Sequence, residues 1–432
     1  MDLLAGWMFL VLTLLLFAGF PVAFTLLGVS LFFGLAGFGW EFFNLLPLRI
    51  WGVMTNFTLV AVPLFIFMGV MLERSGIARD LVESFAGLFG RLRGGLAVAV
   101  VLVGAVLGAS TGIVGATVVT MGLLALPVML QQGYRQELAT GTVAAAGTLG
   151  QIIPPSIVLV LLGDIIGVPV GDLFLGAVLP GLLLVAAYVG YILALAWWTP
   201  RSAPPLATTS ASLAPLLRAM APPFFLILAV LGSIFAGIAS PTEAAGVGAL
   251  GAMLLCLLKG RFSLAVLREV MEATTRLTSM VFIILAGAAA FGLVFRGLGG
   301  DMLIRDLVGH IPFGRWGVLA TVMVLVFLLG FFLDFIEITF IHIPVLAPIM
   351  TEYGFDPVWF AILFALNLQT SFLTPPFGFA LFYLKGTAPS GVSTLAIYRG
   401  IVPFVLLQLL VLLLVIFLPG LATWLPAFDP GR

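Results

Sequence analysis

Long apolar runs follow one another along the chain, and short polar tracts interrupt them. Residues 3–38 carry no charged side chain, and stretches near 50–72, 95–130, 219–238, 277–295, 316–333 and 400–418 are almost free of charge. A helix that crosses a bilayer needs about 20 such residues. The pattern therefore predicts an all-α polytopic membrane protein. The first run is not a typical secretory signal, because Asp2 precedes it without a basic residue and its apolar stretch far exceeds the usual core of up to about 15 residues, and it is expected to be a retained membrane element. Pro21 either divides this run into two spans or kinks one long helix.

Composition sharpens the picture. Of the 432 residues 62% are hydrophobic and 8% charged, against about 25% charged in an ordinary soluble domain, and the mean hydropathy is +1.28. Lys+Arg and Asp+Glu both number 18, and no basic tract offers a surface to nucleic acid. The single cysteine, Cys256, lies in an apolar run and is predicted to be packing. Fifty glycines and 26 prolines allow close helix approach and helix breaks.

The chain is duplicated. The segments LPVMLQQGYRQELATGTVAAAGTLGQIIPPSI from Leu126 and APIMTEYGFDPVWFAILFALNLQTSFLTPPFG from Ala347 share a register of 221 positions. That offset carries Pro127 onto Pro348, Gly133 onto Gly354, Pro154–Pro155 onto Pro375–Pro376, Gly76 onto Gly297 and Asp80 onto Asp301; one position less carries Pro21 onto Pro241 and Gly28 onto Gly248. Repeats of this size are a mark of secondary transporters. The expected halves are 1–218 and 219–432. Basic residues mark 73–93, 200–218 and 259–276 as cytoplasmic. Three apolar stretches separate 93 from 200, so one of them must turn back. The GQIIPPS tract makes 138–162 the expected re-entrant hairpin, with its counterpart near 358–384, 200–218 as cytoplasmic linker and 163–172 outside. The repeats are then inverted. Arg296, Arg305 and Arg315 in an external loop count against this topology.

Four polar tracts sit in apolar surroundings: GASTGIVGATVVT from Gly108, GTLGQIIPPS from Gly147, FFLDFIEITF from Phe331 and NLQTSFLTPPFG from Asn367. Pro-Pro disfavours helix on its N-terminal side and frees carbonyl oxygens beside Ser and Thr hydroxyls, a donor set that suits a hard cation. Candidate cation ligands are Ser110, Thr148 and Ser156 in the first half and Thr370, Ser371 and Thr374 in the second. The bland alternative is that each hydroxyl bonds only to a helix carbonyl. Asp334 and Glu337 share a helix face, and acids inside a membrane are usually functional; they bind a cation, shuttle a proton, or sit at an aqueous boundary. Glu243 is similar but nearer a loop, and His342 reads as packed. No Walker A, HExxH, CxxC or GxSxG pattern occurs, so neither ATP hydrolysis nor other catalysis is expected.

At VPLFIFMG from Val62, GASTGIVGATVVTMG from Gly108, GQIIPPSI from Gly150, SPTEAAGVGA from Ser240 and QTSFLTPPFGFALFY from Gln369, the chain resembles the large subunit of the tripartite ATP-independent periplasmic (TRAP) transporters, the DctM-like family. The resemblance spans essentially the full length. It implies a multi-pass inner-membrane permease in which a transport body moves against a scaffold. It implies sodium as coupling ion without other cofactor, and a small organic anion as cargo. Its partners would be a small four-helix, DctQ-like membrane subunit and a periplasmic solute-binding protein. No extra four-span domain precedes the repeat, so a fused version is not expected. The implied site comprises Ser110, Thr111 and Gly112 with Gly147, Thr148, Gly150, Pro154, Pro155 and Ser156, and Phe332, Asp334 and Glu337 with Thr370, Ser371, Thr374, Pro375, Pro376 and Gly378. Sodium is expected at Ser110, Thr148, Ser156, Asp334, Thr370 and Thr374. FLTPPFGFALFYLKG is more similar to the branch for keto acids, mannitol or chloroaromatic compounds than to the C4-dicarboxylate branch. A monocarboxylate or 2-oxo acid is the leading cargo, with a sugar acid or dicarboxylate as alternatives. The rival function is a stand-alone cation-coupled carboxylate transporter or antiporter.

Overall fold

The computed structural model describes residues 2–112, 114–206, 213–375 and 378–428, and these contain helices and no strand. The first run is two helices, α1 (Asp2–Phe17) and α2 (Val22–Phe38), so Pro21 marks a division rather than a kink. A short α3 (Leu46–Met54) leads, across a 57° bend, into α4 (Ala61–Arg74), followed by α5 (Ile77–Phe89). Next come α6 (Gly95–Thr111), α7 (Val114–Leu124), α8 (Leu126–Gln131), α9 (Gln136–Thr148), α10 (Ile157–Ile166) and α11 (Val170–Trp198). The second half holds α12 (Leu213–Phe235), α13 (Pro241–Leu258), α14 (Leu264–Gly297), α15 (Gly300–Gly309), α16 (Gly314–Leu329), α17 (Phe335–Glu352), α18 (Pro357–Leu373), α19 (Phe379–Thr387) and α20 (Thr394–Phe417), and ends on the short α21 (Gly420–Thr423). Among the described residues seven helices are long and apolar enough to cross a membrane, or up to nine if each bent pair is one span.

The repeat seen in the sequence is a repeat of elements. At the offset of 221, α4, α5 and α6 fall on the end of α14, α15 and α16; α7 and α8 on α17; α9 on α18; α10 on α19; and α11 on α20. Local chemistry follows the register. Gly133 and Gly354 both hold a left-handed backbone, with φ of 81° and 77°, at the turn before α9 and before α18, a conformation that costs glycine nothing. Ser240 and Glu243 form a capping box ahead of α13, which explains Glu243 as a helix start rather than a site.

Hydrogen bonds between loops show the path of each segment. Gly94 N–H donates to the Ala203 carbonyl at 3.0 Å, Leu206 N–H to Gly90 at 2.7 Å and Arg135 N–H to Ser202 at 3.0 Å. The starts of α6 and α9 and the end of α11 thus share one end of the molecule. Since α11 is a single helix of 29 residues, about 43 Å long, its start lies at the far end. There Gly176 adjoins Ala422, and the Trp359 indole donates to the Val415 carbonyl at 2.8 Å. The segment α6–α8 therefore doubles back, whereas α9–α10 runs from one end to the other. In the second half Arg315 and Trp316 at the start of α16 lie against Phe355 beyond the end of α17. Gln136 reaches the Gly391 carbonyl beyond α19 at 3.2 Å. There α16–α17 doubles back and α18–α19 runs through. This corrects the expectation of returning hairpins at 138–162 and 358–384. The Pro-Pro tracts break through-running helices, and the turn-backs sit at 95–131 and 314–352. Parity and inversion survive, because one turn-back opens at each end.

α4 packs on α13 and α14, and α2 packs on α14. The α6–α11 and α16–α20 segments interlock with one another: α10 with α17, and α7 with α19. The 73–93 segment joins the 259–276 segment through the Lys259–Asp80 ion pair and through Arg74–Glu269 at 3.4 Å. Cys256 and His342 are buried packing groups as expected, with His342 edge-on to Phe9.

Candidate functional site

Each half brings the ends of its polar tracts together, backbone against backbone in the first and backbone against side chain in the second. In the first half the end of α6 meets the break between α9 and α10. A Cβ on Gly108 would lie 2.6 Å from the Gly150 nitrogen, and a Cβ on Gly150 would lie 2.7 Å from the Gly108 carbonyl oxygen. Gly112 leaves α6 in a left-handed conformation, φ 60°, against Ile157. Gly147, one turn before the break, packs on Val118 of α7. In the second half Gly330, at the end of α16, abuts the Ser371 hydroxyl of α18. Gly150 and Ser371 are repeat partners. The halves meet at another partner pair: the Gln369 amide donates to the Thr148 hydroxyl at 3.4 Å, across the same 221 positions. The local twofold axis of the repeat passes through this contact.

The described candidate hydroxyls all bond to backbone carbonyls. Thr148 donates to Ala145 at 2.9 Å and Ser156 to Gln151 at 2.7 Å. Thr370 donates to Leu366, Ser371 to Leu368 and Thr374 to Thr370, each at 2.8 Å. This is the bland pattern, but it does not spend the oxygen lone pairs. A hydroxyl that gives its proton to a carbonyl can still accept a cation. Freed carbonyls are present too: a Cβ on Gly378 would lie 2.9 Å from the Phe372 oxygen and 3.0 Å from the Thr374 oxygen, so two carbonyls converge on its hydrogen side. Pro154 and Pro155, joined by a cis peptide, close the first break. Pro375 opens the second. The side chains of Ser110 and Thr111 and all of Pro376 lie outside the described residues. No cluster of three or more His, Cys, Asp and Glu forms among the described residues.

Asp334 and Glu337 have a role that sequence reading missed. Asp334 caps α17, its carboxylate accepting the Phe335 N–H at 2.8 Å, and Glu337 reaches back to the Asp334 N–H at 3.0 Å. The two acids thus fix the start of the helix that leaves the second break. Asp334 also lines a cavity of about 380 Å³ that Ile157, Phe372, Phe379 and Tyr383 share with Ile66 of α4 and Met280 of α14. Phe332 is outside it, its ring 4.7 Å from Phe17. Also missed were Gln151 and Gln369. Both are fully buried; both amide atoms of Gln151 and the amide oxygen of Gln369 have no hydrogen-bond partner. The register that aligns Thr148 with Gln369 was the available signal.

Duplicated, inverted halves whose broken helices converge beside a shared cavity define a secondary transporter. The chain belongs to the DctM family, described as "Tripartite ATP-independent periplasmic transporter, DctM component", whose profile matches residues 9–421. It is 32% identical to the C4-dicarboxylate TRAP transporter large permease protein DctM of Pseudomonas aeruginosa, covering 88% of this chain and 89% of that one. It is 30% identical to the ectoine/5-hydroxyectoine TRAP transporter large permease protein UehC of Ruegeria pomeroyi, covering 98% of each. The fold is similar to the crystal structure of the Alcanivorax borkumensis YdaH transporter, with a TM-score of 0.62 at 18% identity over 88% of this chain and 89% of that one.

Proposed function

We propose that this large permease subunit uses a sodium gradient to import a small organic anion, a monocarboxylate or 2-oxo acid in the first place. A periplasmic binding protein delivers the cargo, and a small four-helix membrane subunit braces the scaffold in the inner membrane. The observation that carries this reading is the meeting of four helix breaks in repeat register, at Gly108–Gly150, Gly330–Ser371 and Thr148–Gln369. Broken backbone is tolerated at membrane depth only where protein or a watery cavity satisfies it, and carbonyls so freed are the usual cation ligands of such transporters. α1–α5 and α12–α15 serve as scaffold, and α6–α11 with α16–α20 as an elevator-like moving body.

The orientation follows from the basic loops. Cysteines placed at 201 or 260, in a Cys256→Ala background, should react with an impermeant maleimide only from the cytoplasmic side. A cysteine at 167 should react only from outside. Labelling at 201 from the outside alone would invert the topology.

Coupling is tested by uptake in vesicles holding all three components. Uptake should require an inward sodium gradient. Thr374→Ala should raise the sodium concentration for half-activation by roughly threefold to tenfold, the loss of one oxygen ligand among several, with little change in docking of the binding protein. Unchanged sodium activation would place the cation elsewhere.

A further inference from the structure

The cavity beside the helix breaks is unusually specific in what it omits. Among its described lining residues the only polar side chains are Asp334 and Tyr383, and none is basic. The remaining wall is aliphatic and aromatic: Ile157, Phe335, Phe372 and Phe379 from the body, Ile66 and Met280 from the scaffold. Tyr383 is held in place, since its ring lies over Gly115, where a Cβ would come within 2.9 Å of it. The basic groups lie elsewhere. A second cavity of about 540 Å³, lined farther along the same helices α14 and α17, carries Arg49 and Arg296 together with Asp164 and Asp301. Between the charged rim and the chamber, α14 contributes Leu285, Ala288 and Phe291 to the wall of that second cavity. That rim balances two arginines against two aspartates, and the described lining of the chamber at the breaks holds no basic side chain.

We infer that the chamber takes a monocarboxylate with an apolar body, branched aliphatic or aromatic, and disfavours polyhydroxylated acids and dicarboxylates. This deepens the permease reading and rests on it. A sugar acid would bring several hydroxyls against a wall whose described residues offer two polar side chains, and each buried hydroxyl without a partner costs binding. A second carboxylate would face aromatic rings or Asp334, with no base among the described lining residues to answer it. One carboxylate is accommodated: the coupling cation supplies the positive charge, and the positive ends of the α10 and α19 helix dipoles lie at the chamber wall, which Ile157 and Phe379 line. The apolar body then displaces water from Ile66, Met280 and the phenylalanines.

The test is equilibrium binding to the permease with its small subunit in nanodiscs, without the binding protein, whose own selectivity would mask the chamber's. Radiolabelled 4-methyl-2-oxopentanoate is the probe, in sodium and in choline, with phenylpyruvate, succinate and gluconate as competitors. The expected result is sodium-dependent binding in which phenylpyruvate competes at least about tenfold better than succinate or gluconate. Met280→Ser should weaken the probe about tenfold. Sodium-dependent binding in which succinate or gluconate competes equally well or better overturns the cargo class and leaves the permease reading standing. An unchanged affinity in Met280→Ser, with the variant still sodium-dependent, overturns the assignment to this chamber. Binding that is undetectable, or indifferent to sodium for every acid, overturns the sodium-coupled reading and the inference together.

Discussion

Gly108→Ala should lower transport at least tenfold in a subunit that still assembles, and Gly150→Ala should do the same. The added methyl group meets backbone, not a side-chain end. At Gly108 it would lie 2.6 Å from the Gly150 nitrogen and 2.7 Å from its Cα, and neither can rotate away. Overpacking of this kind costs about 1–3 kcal/mol, and here the strain falls on the break where cation ligands are arranged. Gly190→Ala is the control. It lies in α11 with nothing within 4 Å of its Cβ position, and replacing glycine inside a helix is worth roughly 0.5–1 kcal/mol in its favour. The second half allows a rescue. Gly330→Ala should fail because its methyl group meets the Ser371 side chain, and Gly330→Ala with Ser371→Gly should recover much of the loss. Sodium-driven uptake in proteoliposomes and thermal stability of the purified subunit read both effects. Full activity in Gly108→Ala would show that α6 and the α9–α10 break do not need to touch.

Much of this arrangement was legible in the sequence because it is repeated there. The offset that superimposes Gly133 on Gly354 marks two turns with the same left-handed backbone, and the Pro-Pro pairs mark two real helix breaks. What the sequence did not settle was direction. Periodicity and charge say that one of three segments between 93 and 200 turns back, and parity is satisfied whichever it is. The Pro-Pro tract looked like the natural tip. The turn-back at Gly112 lies in the GASTGIVGATVVT tract, which has no Pro-Pro to mark it, and its role depends on Gly94, Arg135 and Ala203 lying at one end, a tertiary fact. The acids were ambiguous for a related reason. Asp334 and Glu337 have the spacing of a capping box as well as that of a paired site, and only the start of α17 at Phe335 decides that they cap. Gln151 and Gln369 passed unnoticed because a buried amide has no spacing signature; its significance lies in partners it lacks.

Two staples should have opposite effects on transport if the body moves as one piece. The first joins scaffold to body. Asn56, between α3 and α4, donates its amide to the Asp164 carboxylate of α10 at 2.7 Å, while its own oxygen accepts the Thr58 N–H at 2.9 Å. In a Cys256→Ala background, Asn56→Cys with Asp164→Cys, bridged by a short bis-methanethiosulfonate, should stop transport nearly completely, since α10 can no longer travel past the α3–α4 bend. The second staple joins the two halves at their twofold contact. Thr148→Cys with Gln369→Cys, bridged in the same way, should leave the rate within about twofold of the same variant after reduction, because both residues ride in the moving body. Comparison of bridged with reduced protein removes the effect of losing the Thr148 hydroxyl itself. A rocking mechanism, in which residues 1–218 swing against 219–432, predicts the reverse for the second pair, because its staple would pin the halves together at the chamber. The reciprocal packing of α10 on α17 and of α7 on α19 favours the first outcome: each half inserts its through-running helix against the turn-back of the other, and rocking would have to pull both contacts apart at once. Arrest by the 148–369 staple, with transport surviving the 56–164 staple, would overturn the elevator reading.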